Sequence, residues 1–296
     1  MLTREGIGNG TLLYAVLFTI VRWIRCKFFQ KDTPSYRKES FWSWEESNFR
    51  DPDTGGFHWP NFVGVILYVV LTLLSGTTIV FTFQFCLYGS MNQGIITSLF
   101  GLSSIFSAAI AYFIFGDKLK IYHVIGMIMM LLCIVGLGVG STKKIEINEI
   151  THSEDTTTLV YSLLAILLGI CCPLLFALSG LTVRYHSDHY NFKPVDMTIS
   201  GYYIGNTMLA IALIFTYHYG SHPFIFSEYI QITISGLIGA MGEVFLNLAV
   251  SYGLAGPAFA LANIQVIIQT ILDAILVGQI PSIIEVASAL FGVIGC

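Results

Sequence analysis

Uninterrupted apolar runs separated by short polar breaks recur along the whole chain, at the spacing expected of helices that cross a bilayer. A spanning helix needs about 20 apolar residues to cover about 30 Å of hydrocarbon. Runs near that length predict spans at 61–86, 91–115, 121–141, 158–184, 195–217, 228–252 and 256–278. Residues 8–29 predict one more, in which the apolar stretch Thr11–Val21 is followed by Arg22, Arg25 and Lys27. The long stems of these cations can reach back to the membrane surface. A cleaved signal peptide is the alternative for this segment, but the positive charge follows the apolar core and no small-residue cleavage site is evident. Residues 282–296 begin another apolar helix that is too short to cross. The expected fold class is therefore all-α, a polytopic membrane helical bundle.

Composition agrees with the pattern. Hydrophobic residues make up 55% of the 296 and charged residues 11%, a share of charge well below that of a soluble domain. The net charge of −4 gives no basic surface for nucleic acid, so no nucleic-acid partner is expected. Cys86, Cys133, Cys171 and Cys172 lie within apolar runs and show neither metal-ligand spacing nor a disulfide framework. No metal and no cofactor are expected.

Charge in the loops sets an orientation. Taking loops alternately, one set carries Arg22, Arg25, Lys27, Lys31, Arg37, Lys38, Arg50, Lys118, Lys120, Arg184 and Lys193, and the other only Arg4, Lys143 and Lys144. The richer set is expected in the cytoplasm. That puts Met1 on the opposite face and suggests a further helix before residue 1. Loop 30–60 is then cytoplasmic and holds an aromatic, charged stretch at 41–49. It reads either as a partly ordered connector or as a surface for a partner or for lipid headgroups.

Two weak internal similarities fall into one register. Residues 9–19 match 205–216 at Thr11 with Thr207, Leu13 with Leu209 and Leu17 with Leu213, and Tyr88-Gly89 matches Tyr252-Gly253. The two offsets differ by about the length of loop 30–60. The matched helices are the first and the sixth of the predicted spans, an odd step of five, so the second unit is expected to run inverted. Two inverted units meeting at a midplane site is the plan of many secondary transporters.

At this point the chain resembles the drug/metabolite transporter superfamily in its EamA-like form. The segment 94–140 carries the likeness most clearly. It has two apolar helices joined by an acidic turn at Phe115-Gly116-Asp117-Lys118-Leu119, and a glycine-spaced second helix with Gly126, Gly136, Gly138 and Gly140. Asp117 stands where the family usually has glutamate, and Ser103 and Ser104 stand where it often has proline. The resemblance implies two inverted repeats of five helices, here 1–141 without its first helix and 158–296 with its last helix incomplete. Residues 142–157 are the linker, and the chain is expected to be truncated at both ends.

Candidate chemistry lies in the polar groups within the spans. An ionised group at a helix centre costs about 2.5–3.5 kcal/mol, so each needs a partner or a role. Glu243 sits near the middle of 228–252 with Asn247 one turn on. Gln265, Gln269 and Asp273 form one stripe at i, i+4 and i+8, with Asn263 nearby and Asn206 midway along 195–217. The matching first-half positions, Ile79, Phe83, Gly101, Ile105 and Ala109, are apolar or small. These residues predict a substrate-binding wall of Glu243, Asn247, Gln265, Gln269, Asp273 and Asn206 opposite a close-packing wall. The alternative is that Glu243 and Asp273 are protonated or hydrogen-bonded contacts between helices, and for Glu243 the functional reading is favoured because a central carboxylate is an expensive way to make such a contact. Gly94, Ser98, Gly101 and Ser104 form a small-residue stripe for helix packing. Pro173 and Pro257 read as kinks or starts of helices, and Asp117 as a local cap or ion-pair partner. His58, His152, His186, His189, His218 and His222 read as solvated loop residues.

The expected function is secondary-active transport of small organic solutes by alternating access, with a non-transporting scaffold or receptor as the alternative. Enzyme chemistry is not expected. An intramembrane aspartyl protease needs paired aspartates, and only Asp273 is available; residues 177–180 lack the first glycine of a rhomboid-type serine motif. Repeated pore-lining charges, as in a channel, are absent. The expected partners are a small-molecule substrate and the lipid bilayer, with a homodimer left open.

Overall fold

Backbone N–H and C=O groups in an apolar surrounding must find partners within their own segment, and in a single segment only a helix provides them. The computed structural model of the chain describes residues 2–29, 47–51, 54–89, 96, 99–145, 156–219 and 226–264, with residues 268, 275, 284, 286–288, 290 and 291 towards the C-terminal end. Among the described residues the regular elements are helices, and the one β pairing is an isolated antiparallel bridge between Arg50 and Phe57.

The helices are α1 (Leu2–Ile24), which continues as a π-helical turn over Arg25–Phe29, then α2 (Trp59–Tyr88) and α3 (Leu102–Phe115). They are followed by α4 (Ile121–Ile145), α5 (Thr156–Tyr190), α6 (Pro194–Tyr219), α7 (Phe226–Tyr252) and α8 (Ala255–Ala262). Among the described residues three helices are long and apolar enough to cross a membrane: Trp59–Tyr88, Leu159–Tyr190 and Ile230–Tyr252. The apolar helices Leu102–Phe115 and Ile121–Cys133 are shorter.

Several boundaries differ from those read in the sequence. The run 91–115 is not one continuous helix: Phe100 and Gly101 form a turn, and α3 starts afresh at Leu102. Here Ser104 Oγ donates to the Gly101 carbonyl at 2.9 Å and Ser107 Oγ to the Ser104 carbonyl at 3.0 Å. Such back-bonding by serine competes with the regular helical ladder. α5 runs through Pro173 and on to Tyr190, past the expected end at 184. His186 and His189 are therefore helical and not loop residues, and His218 lies within α6. His186 is buried, with Nδ1 2.9 Å from the Thr182 carbonyl. Pro257 lies in the first turn of α8, where its missing N–H costs nothing. α8 closes at Asn263, whose N–H reaches the Ala260 carbonyl at 3.1 Å. Most of the remainder of 256–278 and most of 282–296 lie outside the described residues, as do residues 146–155 of the linker 142–157 and loop residues 30–46, 52 and 53.

α3 ends on Gly116, which takes the left-handed conformation at φ 68° and returns its N–H to the Ala111 carbonyl. Only glycine does this without a steric penalty. This is the acidic turn noted in the sequence, and the Asp117 N–H lies 3.4 Å from the same carbonyl.

The chain forms two compact units, Met1–Val70 with Thr182–Leu248, and Leu71–Leu181 with Ala249–Cys296. The first holds α1, α6, the start of α2, the end of α5 and most of α7. Its core is Ala15, Ile199, Tyr202, Ala240 and Val244, ringed by Tyr14, Phe18, Val195, Tyr203 and Leu248. α1 crosses α7 at backbone contact, because a Cβ on Gly10 would overlap the Thr233 carbonyl and come 2.6 Å from the Leu237 nitrogen.

In the second unit Ala108, Met127 and Ala260 join α3, α4 and α8. A Cβ on Gly256 would stand 2.6 Å from the Ala108 Cβ. Phe176 of α5 meets Phe259 of α8 edge-on at 5.5 Å. The Ser103, Ser104, Ser107, Ala108 and Ala111 face of α3 is buried. Close small-residue packing of this kind substitutes for the hydrophobic drive that lipid removes. Gly256→Val is expected to destabilise this crossing by about 1–3 kcal/mol through overpacking. It is checked by thermal unfolding in detergent, where a wild-type transition would rule out the α3–α8 contact.

Candidate functional site

Glu243 is the one acidic side chain in the window 230–252, and the fold provides it with partners from two other helices. Tyr68 of α2 donates its hydroxyl to Oε1 at 2.6 Å, and Tyr202 of α6 donates to Oε2 at 2.9 Å. The Tyr202 hydroxyl also lies 3.1 Å from the Ala240 carbonyl, one turn back along α7. Asn247, one turn on, directs its amide at the Tyr68 hydroxyl at 3.4 Å and at Thr198 Oγ1 at 3.0 Å. Thr198 donates in turn to the Pro194 carbonyl at 2.9 Å. Tyr68, Tyr202, Thr198 and Asn247 are buried, whereas Glu243 keeps part of its surface accessible. Among the described residues no lysine or arginine is paired with the carboxyl.

The close geometry depends on glycines. A Cβ on Gly201 would lie 2.5 Å from two carbons of the Tyr68 ring, so the residue before Tyr202 must be bare for Tyr68 to seat. On α2, one turn before Tyr68, a Cβ on Gly64 would overlap the His186 imidazole. Gly239 and Gly242 of α7 have the opposite environment. Each adjoins Glu243 along the helix, and a Cβ on either would meet nothing within 4 Å. Both glycines are exposed, on a stretch of α7 whose Ile238, Met241 and Phe245 are exposed as well.

A second polar group fixes the end of this unit. Arg22 of α1 pairs with Asp196 in the first turn of α6 at 2.8 Å, and Asn48 donates to the other Asp196 oxygen at 2.8 Å. A carboxylate in that first turn also suits the helix dipole. Asn61 Nδ2 donates to the Asn48 carbonyl at 2.6 Å. Phe49 packs on Phe57 at 6.2 Å and edge-on to Phe192 at 5.6 Å. The described part of loop 30–60 thus folds as a tight turn against α6. Further along, Tyr203 donates to the Ala15 carbonyl at 3.0 Å and lies 2.7 Å from Thr19 Oγ1, tying α1 to α6.

Of the residues singled out in the sequence, Glu243 and Asn247 are brought together with Tyr68, Tyr202 and Thr198. Asn206 is buried on α6, and its Nδ2 has no hydrogen-bond partner among the described residues. Asn263, at the end of α8, is buried with Nδ2 in the same condition. Gln265, Gln269 and Asp273 lie outside the described residues, as do Gly94 and Ser98, while Gly101 and Ser104 are buried in the α3 turn. The first-half positions Ile105 and Ala109 line an apolar groove of about 470 Å³ between α3 and α4, together with Tyr112, Phe113, Met127 and Ile128. Sequence reasoning missed Tyr68, Tyr202 and Thr198. The available signal was a polar hydroxyl deep in an apolar run, which tyrosine and threonine give only faintly.

No protein-family model matches this chain, and no curated protein matches it.

A hydrogen bond contributes about 0.5–1.5 kcal/mol between neutral groups and about 1.5–3 kcal/mol to a charged one. Tyr68→Phe is therefore expected to lower stability by that order, and Gly201→Ala by a comparable amount because it pushes the same ring aside. Combining the two should cost less than the sum of the single effects, since both act on one contact. Additive losses in denaturant or thermal unfolding would show that Gly201 does not seat Tyr68.

Proposed function

We propose that the protein is a secondary-active transporter of small organic solutes that works by alternating access, with Glu243 at the centre of its polar wall. The observation that carries this reading is a carboxyl midway along an apolar helix, held by phenols from two other helices beside a bare glycine face. A carboxyl is a costly way to join helices when a hydroxyl would serve, which favours a working role. Asn247 extends the polar wall, and Asn206 belongs to it in this reading, as do Gln265, Gln269 and Asp273.

The inverted-repeat plan is part of the proposal. The loop-charge bias and the resemblance to EamA-like transporters support it. So do the two helices that end alike, α2 at Tyr88 and α7 at Tyr252, each followed by a glycine whose N–H returns to the carbonyl four residues back, at 2.8 and 2.9 Å. Three helices able to cross a bilayer by length and composition fit an integral membrane location, and loop 30–60 faces the cytoplasm in this reading.

One observation favours a second reading. Both Glu243 oxygens are already bonded within the protein, as they would be in a non-transporting scaffold that uses the carboxyl to hold three helices. The two separate experimentally. A metabolite panel screened by thermal shift identifies stabilising solutes, and uptake of these into proteoliposomes is then compared between wild type and Glu243→Gln. The transporter reading expects uptake reduced at least tenfold in a variant that still folds. A folded protein that moves no solute from the panel supports the scaffold, and undiminished uptake by Glu243→Gln removes Glu243 from the mechanism.

A further inference from the structure

The Tyr202 hydroxyl has one proton to donate and two acceptors within reach, Glu243 Oε2 at 2.9 Å and the Ala240 carbonyl at 3.1 Å. A tyrosine hydroxyl gives one hydrogen bond and can accept another. Two complete arrangements follow on the same heavy atoms. With Glu243 charged, Tyr68 and Tyr202 both donate to it. With Glu243 neutral, its proton sits on Oε2 and is donated to the Tyr202 oxygen, and Tyr202 turns its own proton to the Ala240 carbonyl. Tyr68 keeps donating to Oε1 in both, and Asn247 keeps its amide near the Tyr68 oxygen.

We propose that Glu243, Tyr202 and the Ala240 carbonyl form a proton-binding site that is fully hydrogen-bonded in both protonation states. A buried polar group left without a partner costs about 1–3 kcal/mol, so a carboxyl bonded for one protonation state alone is penalised in the other. This one changes state by rotation of a single hydroxyl. The surroundings fit a proton better than a bulkier ligand at this point. Tyr68 and Tyr202 are buried, and beside Tyr68 there is no room even for a methyl group on Gly201. Exchange with water needs a route: Glu243 is only partly buried, and the exposed Gly239 lies one turn before it on α7.

The other polar groups packed around the carboxyl leave both states available. α1 contributes Tyr14, at the rim of the same cluster. From α2 comes Tyr68, and from α5 His186, which meets α2 one turn away at Gly64. On α6 Thr198 is engaged with Asn247 and Pro194, while Asp196 is engaged with Arg22 and Asn48. Among the described residues no lysine or arginine pairs with Glu243 to hold it charged.

The use of that proton rests on the transport reading, but the site is testable without any solute. The full chain in lipid nanodiscs is titrated with pH while infrared difference spectra are recorded. The expected result is a protonated-carboxyl band that disappears as pH rises, together with a tyrosine band that shifts at the same midpoint, both lost in Glu243→Gln. The tyrosine shift should fall in Tyr202→Phe and persist in Tyr68→Phe, which leaves the switching hydroxyl intact. These two variants keep the carboxyl, so the test stands even if Glu243→Gln does not fold. A carboxyl band insensitive to Glu243→Gln overturns the proposal, and so does a tyrosine shift that survives Tyr202→Phe undiminished. A titrating, tyrosine-coupled carboxyl in a protein without flux would count against transport alone. Flux with no such titration would count against the proton site alone.

Discussion

A carboxyl placed midway along an apolar helix must be served by other parts of the chain, because a medium with no free water leaves it no alternative. Tyr68 and Tyr202 provide that service from helices that arrive from 175 and 41 residues away. Once Glu243 stands on α7, α2 and α6 have to approach closely enough for two phenols to reach it. The bare backbone at Gly201 follows from that requirement, since any side chain there would occupy the space of the Tyr68 ring. Asn247 and Thr198 extend the same demand, each satisfying a polar atom that the approach of the helices would otherwise strand.

The rest of the first unit reads as support for this meeting point. Gly10 lets α1 lie against the backbone of α7, and Tyr203 ties α1 to α6 through the Ala15 carbonyl. Arg22 and Asn48 both hold Asp196 at the start of the helix that carries Tyr202. α6 is thus anchored at its first turn and again at the residue after Tyr202. In the second unit the same device of small residues at crossings recurs at Gly256 and Ala108, with no carboxyl in the packed cluster around them.

Helices were legible in the sequence wherever apolar length decided the matter. The helices read at 61–86, 195–217 and 228–252 are observed as Trp59–Tyr88, Pro194–Tyr219 and Phe226–Tyr252, the first of them and Ile230–Tyr252 being long and apolar enough to cross a membrane. The boundaries that moved did so for local reasons that hydropathy does not register. α5 continues beyond 184 through polar residues, where Arg184 and Asp188 pair at i and i+4 and His186 lies against a carbonyl one turn back. The run 91–115 turns at Phe100–Gly101, and just after the turn serine hydroxyls bond back to the Gly101 and Ser104 carbonyls. At the site, Glu243 and Asn247 stood out as polar groups on an apolar helix, one turn apart. Their partners did not, because tyrosine is at home in apolar segments and its hydroxyl gains meaning only when a distant carboxyl is brought to it.

The open face beside Glu243 is where the transport account meets its hardest test. Gly239 and Gly242 can each accept a cysteine without a clash. In a background with the native cysteines replaced, such a cysteine can be challenged with a membrane-impermeant thiol reagent from either side of sealed vesicles. Alternating access predicts that reagent reaches the position from both sides, with a stabilising solute slowing the reaction on each. Labelling confined to one side, or by lipid-soluble reagents alone, would contradict it and leave Glu243 as a structural clasp.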